Sequence, residues 1–358
     1  MNMNRRNFIK SSGLLSAACA IPGALLSAPA VSIGFIGTGL RGRTHLQNAA
    51  VRRDVRIPAI CDINPDAVKS AQSILKDHGM PKANVYSEHK HSYMDMLERD
   101  DLDAVIISTP WLWHTRMAVA AMQAEKYVGL EVSAATTLAE CWDLVDTHEE
   151  TGTHLMLLEN VCYAREVMAV LNMVRDGLFG TLVHATCGYR HDLREVKFND
   201  GRQPHGGGVE FGQKAVNEAR WRTQHSLKRN ADLYPTHGLG PVAEWLDINR
   251  GNRFLYLTST ATKSAGLHEY IVEHPKGGPD HPNAKIKWKL GDIVTTVIKT
   301  ANDESIIVSH DTNLPRPYSW GFTLHGTNGV WCGQFEGERI HIENESPPHT
   351  WQTGADYA

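Results

Sequence analysis

The chain has 358 residues, 42% hydrophobic and 21% charged, with 36 basic against 40 acidic side chains and a formal net charge of −4. That length holds two ordinary domains with real cores, and the small acidic excess excludes a nucleic-acid binder, which needs a clustered basic surplus. Six cysteines in so long a chain make no disulfide framework, and one of them, Cys19, lies in a segment that reads as removable.

Residues 1–30 read as an export signal. Arg5, Arg6 and Lys10 precede residues 13–26, which carry no charge, and Ala28-Pro29-Ala30 closes the stretch on small residues. A charged start, an apolar middle and an A-x-A end make such a signal. The paired arginines resemble the twin-arginine kind, which predicts delivery to the periplasm. The apolar run is shorter than the ~20 residues of a spanning helix, so no transmembrane span is predicted for the mature protein. Lipid attachment at Cys19, after Leu15-Ser16-Ala17-Ala18, is the alternative.

Residues 31–160 read as a Rossmann domain. An apolar strand, Val31-Ser32-Ile33-Gly34-Phe35-Ile36, runs into Gly37-Thr38-Gly39-Leu40-Arg41-Gly42, and a helical stretch covers 43–50. This is G-x-G-x-x-G in its structural context. Gly37 permits the tight turn, Gly39 lets a pyrophosphate approach the backbone, and Gly42 lets helix and strand pack closely. A second strand over 55–60 leads to Asp62, 20 residues past Gly42. An acidic residue there suits the ribose hydroxyls of NAD and disfavours NADP; Asp62 has a second reading, as the cap of a helix starting near Pro65.

Helices over 65–78, 114–124 and 138–151 alternate with strands over 105–108, 127–130 and 154–158, which means a parallel sheet with ligands at the strand carboxyl ends. Those ends carry Trp111, Leu112, Trp113 and His114, then Glu131 and Val132, then Glu159 and Asn160. Two tryptophans at a strand exit read as a pocket wall, with core aromatics as the alternative. His114 reads equally as a helix-start residue or a ligand contact.

From 161 to 358 the pattern changes to a helix over 167–176 and strands over 181–189, 254–260, 286–290, 293–300, 304–311 and 320–326. Strands without intervening helices predict an open, largely antiparallel sheet in an α+β domain. Between them lie Asn217, Glu218, Ala219, Arg220, Trp221 and Arg222, then Tyr234-Pro235-Thr236-His237-Gly238.

A Rossmann half followed by an open-sheet half resembles the Gfo/Idh/MocA oxidoreductases. Where those usually carry Glu-Lys-Pro, this chain reads Glu131-Val132-Ser133, without the catalytic lysine. The wording Gly39-Leu40-Arg41-Gly42, Trp111-Leu112-Trp113-His114, Leu158-Glu159-Asn160-Val161-Cys162-Tyr163 and Tyr234-Pro235-Thr236-His237-Gly238 resembles glycoside hydrolase family 109, over 31 to the last residue. The resemblance implies an NAD-dependent glycosidase of the α-N-acetylgalactosaminidase type. It implies NAD contacts at Leu40, Arg41, Asp62, Trp111, Leu112, Trp113, His114, Glu131, Val132, Asn160, Asn217, Glu218, Ala219, Arg220, Trp221 and Tyr234. Sugar contacts fall on Tyr189, Arg222, Tyr234, Pro235, Thr236, His237 and Tyr318. Members of the family extend beyond Ala358, which predicts a C-terminal truncation.

Hydrolysis has no net redox change, so the implied NAD is recycled. The sugar C3 gives up a hydride, a base removes the acidified C2 proton, the aglycone leaves C1, water adds, and the hydride returns. His237 is the first candidate for proton transfer, because imidazole titrates near working pH. Tyr234 polarises the sugar, Tyr189 and Tyr318 exchange protons at C2 or only orient the ring, and Glu159 is a weaker candidate base. No carboxylate pair of the kind a conventional glycosidase needs stands out. The 19 histidines show no convincing metal spacing, so no metal is predicted. The rivals are a sugar or cyclitol dehydrogenase with net redox turnover and a non-catalytic sugar-binding protein. A homo-oligomer is left open.

Overall fold

The structure is a computed structural model that describes residues 30–333 and 337–353; the export reading falls on residues outside that range. Strands β1 (Val31–Ile36), β2 (Val55–Cys61), β3 (Asn84–Tyr86), β4 (Ala104–Ile107), β5 (Tyr127–Leu130) and β6 (Leu155–Leu157) form a parallel sheet in the order β3-β2-β1-β4-β5-β6. Helices α1 (Leu40–Ala50), α2 (Pro65–Asp77), α3 (Ser92–Leu97), α4 (Trp111–Gln123) and α5 (Leu138–Thr151) make the connections. Successive side chains of a strand face opposite sides. Phe35 accordingly joins a core with Leu46, Ile60 and Leu75, while Ile36 joins another with Val105, Ile107 and Met117. The strand order reverses between β1 and β4, which opens a crevice at their carboxyl ends.

The second sheet runs β13-β12-β11-β7-β10-β9-β8. Its strands are β7 (Leu182–Arg190), β8 (Phe254–Ala261), β9 (Ile293–Thr300), β10 (Ser305–Asp311), β11 (Thr323–Gly326), β12 (Gly329–Cys332) and β13 (Arg339–Ile342). The β7–β10 pair is parallel and the other pairs are antiparallel, so the sheet is mixed. Helices α6 (Arg165–Arg175) and α9 (Thr236–Trp245) cover one face, burying Val167, Val170, Val242 and Trp245 against Ala185, Ile306, Val308 and Trp331. Shorter helices α7 (Arg194–Lys197), α8 (Thr223–Lys228) and α10 (Gly266–Glu273) fill the connections. Among the described residues, no helix is long and apolar enough to cross a membrane.

Two local expectations are corrected. Residues 286–290 form no strand: Ile286, Trp288 and Leu290 alternate with lysines at a strand's period, but the segment has no ladder partner. It buries Trp288, and the Leu290 N–H donates to the Ser226 carbonyl at 3.0 Å. Helix α4 begins at Trp111 rather than 114, because Pro110 is extended and supplies its N-cap. His237 stands in the first turn of α9, a helix that holds Gly238, Gly240 and Pro241 inside it.

Candidate active site

The glycine turn is built by sterics. Gly37 has φ +85°, and a Cβ there would lie 2.8 Å from the Ser108 carbonyl carbon. A Cβ on Gly42 would lie 2.0 Å from the Gly37 oxygen. Gly39 differs, because a Cβ there would meet nothing within 4 Å. Gly39 is also the N-cap of α1 and offers no side-chain cap, so the first N–H groups of the helix stay available to an anion. Asp62 accepts from the Thr38 N–H at 2.7 Å and from Asn64 N–H at 2.9 Å. The cap of α2 is Asn64, which accepts from Asp66 N–H, so Asp62 belongs to the glycine turn instead. The hydroxyls of Ser108, after β4, and Ser133, after β5, are buried without a partner. Open space at Gly39, an uncapped helix end and two orphaned hydroxyls fit a dinucleotide.

Around this crevice the expected contacts divide. Arg41 donates to Glu131 Oε1 at 2.6 Å and to Asn160 Oδ1 at 3.0 Å, and His45 Nε2 meets the same Glu131 oxygen at 2.5 Å. Burial opposes the Glu131 charge, but hydrogen bonds from His45 and Arg41 outweigh it and hold the pKa below the ordinary value. Val132 is buried beside it.

The two tryptophans do not share a wall. A helix turns ~100° per residue, so Trp111 and Trp113, two positions apart in α4, point nearly opposite ways. Trp111 stacks on Tyr234 at 5.6 Å and meets Trp221 edge-on at 5.2 Å. Trp113 instead packs against His91, with the Arg116 guanidinium 4.9 Å from its ring centre. Leu112 is exposed, and both His114 ring nitrogens lie on carbonyls, of Ser133 at 2.7 Å and Thr109 at 2.6 Å. His114 therefore ties the ends of β4 and β5 together. Asn217 and Arg220 are exposed and Ala219 is buried, in the turn that carries Glu218.

The substrate half brings its expected residues into one cluster. Rings of Tyr189 and Tyr234 lie 4.8 Å apart, His237 lies 5.3 and 4.8 Å from them, and Tyr318 lies 5.9 Å from Tyr189. The Arg222 guanidinium sits 5.0 Å from the Tyr234 ring centre and 5.1 Å from that of Trp111, and donates to Glu218 at 2.5 Å. Burial opposes the Arg222 charge, but Glu218, Tyr189 and Tyr234 together raise its pKa. Burial also raises the phenols of Tyr189, Tyr234 and Tyr318, which stay protonated at neutral pH. Pro235 precedes α9 and Thr236 opens it, the Thr236 hydroxyl buried without a partner.

Glu159 and His237 form the centre of this cluster. The Nδ1 of His237 lies 2.8 and 2.9 Å from the two Glu159 oxygens, and Glu159 Oε1 also accepts from Val161 N–H at 2.9 Å. An ionised carboxylate only accepts, so Nδ1 carries the proton and Nε2 is left to accept another. Two glycines of α9 make the approach. A Cβ on Gly238 would lie 2.5 Å from Gly188 N, and one on Gly240 would lie 2.9 Å from Glu159 Cγ.

Sequence reasoning missed two residues. His191 Nδ1 lies 3.2 Å from the Tyr189 hydroxyl, within hydrogen-bond reach; burial and then Arg222 lower its pKa, which keeps it neutral. No motif marked it. His45 did carry a signal: it stands four residues after Arg41, on the same face of α1.

A parallel dinucleotide-type sheet joined to a mixed sheet with an aromatic, histidine-bearing pocket defines a two-domain protein of the Gfo/Idh/MocA architecture. Residues 31–158 match the oxidoreductase family with an NAD-binding Rossmann fold, and residues 163–358 match the glycosyl hydrolase 109 C-terminal domain. An alpha-N-acetylgalactosaminidase of Tannerella forsythia is 49% identical over 383 aligned positions, covering 100% of this chain and 81% of that protein. Another, of Shewanella oneidensis, is 39% identical and covers 98% and 78%. A levoglucosan dehydrogenase bound to NADH and levoglucosan shares the fold, with TM-score 0.63, 18% identity and coverage of 90% and 79%. So does an inositol dehydrogenase homolog with NAD+ from Azotobacter vinelandii, with TM-score 0.64, 17% identity and coverage of 94% and 81%. The chain belongs to glycosyl hydrolase family 109 and is a glycoside hydrolase with an NAD-binding Rossmann domain.

Proposed function

We propose that the protein hydrolyses terminal α-N-acetylgalactosaminides with an NAD that is used and restored within each turnover. The observation that carries this reading is the Glu159–His237 pair set among three protonated tyrosines. Hydrolysis by two carboxylates needs an acid and a base flanking the bond. Here Glu131, Glu159 and Glu218 are committed to Arg41 with His45, to His237 and to Arg222. His237 and the three tyrosines offer imidazole and phenol to move protons, which suits oxidation and elimination.

Gly37, Gly39, Gly42, Asp62, Ser108 and Ser133 would hold the dinucleotide, which when bound would supply a reversible hydride acceptor for the sugar C3; a ketone at C3 would acidify the hydrogen on C2. His237 accepts the hydroxyl proton at Nε2, and Glu159 stabilises the imidazolium that forms. Tyr189, hydrogen-bonded to neutral His191, forms a second relay for the proton on C2. Tyr318 flanks that relay, while Arg222, Tyr234, Pro235 and Thr236 orient the ring. The paired Arg5-Arg6 ahead of an uncharged stretch supports export to the periplasm.

The test is to incubate the purified protein with an aryl α-N-acetylgalactosaminide and no added nucleotide. Many turnovers of aryl release without net NADH are expected. NADH accumulation with the glycosidic bond intact would establish a dehydrogenase instead.

A further inference from the structure

Oxidation and elimination move three protons, and His237 with the Tyr189–His191 relay provides for two of them, at the C3 hydroxyl and at C2. The third goes to the aglycone oxygen as its bond to C1 breaks. Ser319 bridges the end of β7: the Arg190 N–H donates to the Ser319 carbonyl at 3.0 Å, and the Ser319 N–H donates to the Arg190 carbonyl at 2.8 Å. Successive side chains along such a pairing face opposite sides. Tyr318 and Trp320 therefore share one face, on the side of Tyr189 and His191. The Tyr318 ring lies 5.9 Å from that of Tyr189 and 4.5 Å from that of His191.

Trp320 joins this cluster to the core of the mixed sheet. Its ring packs against the buried Phe322 at 5.7 Å, and its Nε1–H donates to the Tyr318 hydroxyl oxygen at 2.5 Å. An indole N–H only donates, so the direction of this bond is fixed. A donor on a phenol oxygen favours the phenolate over the phenol. Burial, and Tyr189 after it, raise the Tyr318 pKa, and the Trp320 bond opposes them. Tyr318 is thus protonated at rest, with a donor in place for the charge it acquires on giving that proton away. Such a group is prepared as an acid.

We propose that Tyr318 protonates the departing aglycone, and that Trp320 is the positioning residue that holds its oxygen and stabilises the phenolate left behind. The inference rests on the reading that the glycosidic bond is broken by elimination. The electron pair of the C1–O bond goes to the aglycone oxygen, which takes the Tyr318 proton. The pair of the C2–H bond forms the C1–C2 double bond, and that proton passes to the relay. In the return step water gives its hydroxyl to C1 and its remaining proton to the Tyr318 phenolate, while the relay returns a proton to C2.

An acid serving the aglycone matters in proportion to the basicity of that aglycone. The test compares kcat/KM on a para-nitrophenyl and on a methyl α-N-acetylgalactosaminide. Trp320→Phe, which keeps an aromatic ring against Phe322, is expected to lose about tenfold on the methyl glycoside, the worth of a hydrogen bond to a charged group. On the nitrophenyl glycoside, whose aglycone leaves without help, it loses less than about twofold. Tyr318→Phe loses about 10²-fold on the methyl glycoside and as little on the other. Adding Trp320→Phe to Tyr318→Phe changes nothing further, because the two act through one bond. The ratio of two substrates on one sample is unmoved by any loss of folded protein. Equal losses on both glycosides would overturn the acid role and leave the elimination reading standing. Failure of the unaltered protein to release either aglycone would overturn both.

Discussion

In the parallel sheet, the glycine turn and its acidic partner lie near one another along the chain. Asp62 reaches back to Thr38 over 24 positions, and neighbouring strands are separated by one to three connections. In the mixed sheet, β7 pairs with β10, joining His184 to Ser305 over 121 positions, and the Glu159–His237 bond spans 78. Local rules therefore build the glycine turn and its acidic partner, and long-range topology assembles the catalytic half. The two halves should fail differently when altered.

His237→Ala breaks the catalytic half alone. Turnover of an aryl glycoside should fall by about 10³-fold, within the range of a lost general acid–base group, while NADH binding in a fluorescence titration is unchanged. Glu159→Gln should cost about 10²-fold, because an amide no longer holds Nδ1–H and the imidazolium loses its countercharge. A full-rate Glu159→Gln protein would remove the pair from the account.

The cofactor half offers a sharper contrast within three residues. Gly39→Ala, whose new methyl meets no protein atom, should leave thermal stability nearly intact and weaken NADH binding by about tenfold. Gly42→Ala drives a methyl into the Gly37 oxygen and should cost about 1–3 kcal/mol of stability by chemical denaturation. If both variants lose stability equally, Gly39 is structural and the open space above it means nothing for phosphate.

A pH-dependent contrast concerns Asp232, two residues before Tyr234. Its Oδ1 accepts Tyr234 N–H at 2.9 Å, its Oδ2 is buried without a partner, and burial pushes its pKa up to about 6 against that bond. A carboxyl whose pKa is raised in the folded state stabilises below its unfolded value of 3.8 and loses that contribution as pH climbs towards about 6. Stability should therefore fall between those values by about 3 kcal/mol. Asp232→Asn, which keeps the acceptor, should flatten that fall in melts taken across the range.

The same contrast explains what could be read from the chain. The glycine turn, Asp62 and the alternating strands are legible because spacing, apolar runs and turn residues suffice for them. His237 and its tyrosines were reachable through their wording, but the bond to Glu159 was not, since no local rule reports a contact across two domains. Trp111 and Trp113 misled because a helix begins three residues early, which turns them apart. The glycines of α9 argue against a helix by propensity; close approach to Gly188 and Glu159 is what they serve.

The proposed cleavage runs through oxidation at C3 and loss of the C2 proton. Incubation with an aryl α-N-acetylgalactosaminide in D₂O, followed by mass spectrometry of the released sugar, tests it most directly. The account predicts deuterium at C2 in the product. Sugar released with its C2 hydrogen retained would contradict it, and would require two carboxylates to act where Glu131, Glu159 and Glu218 are now bound.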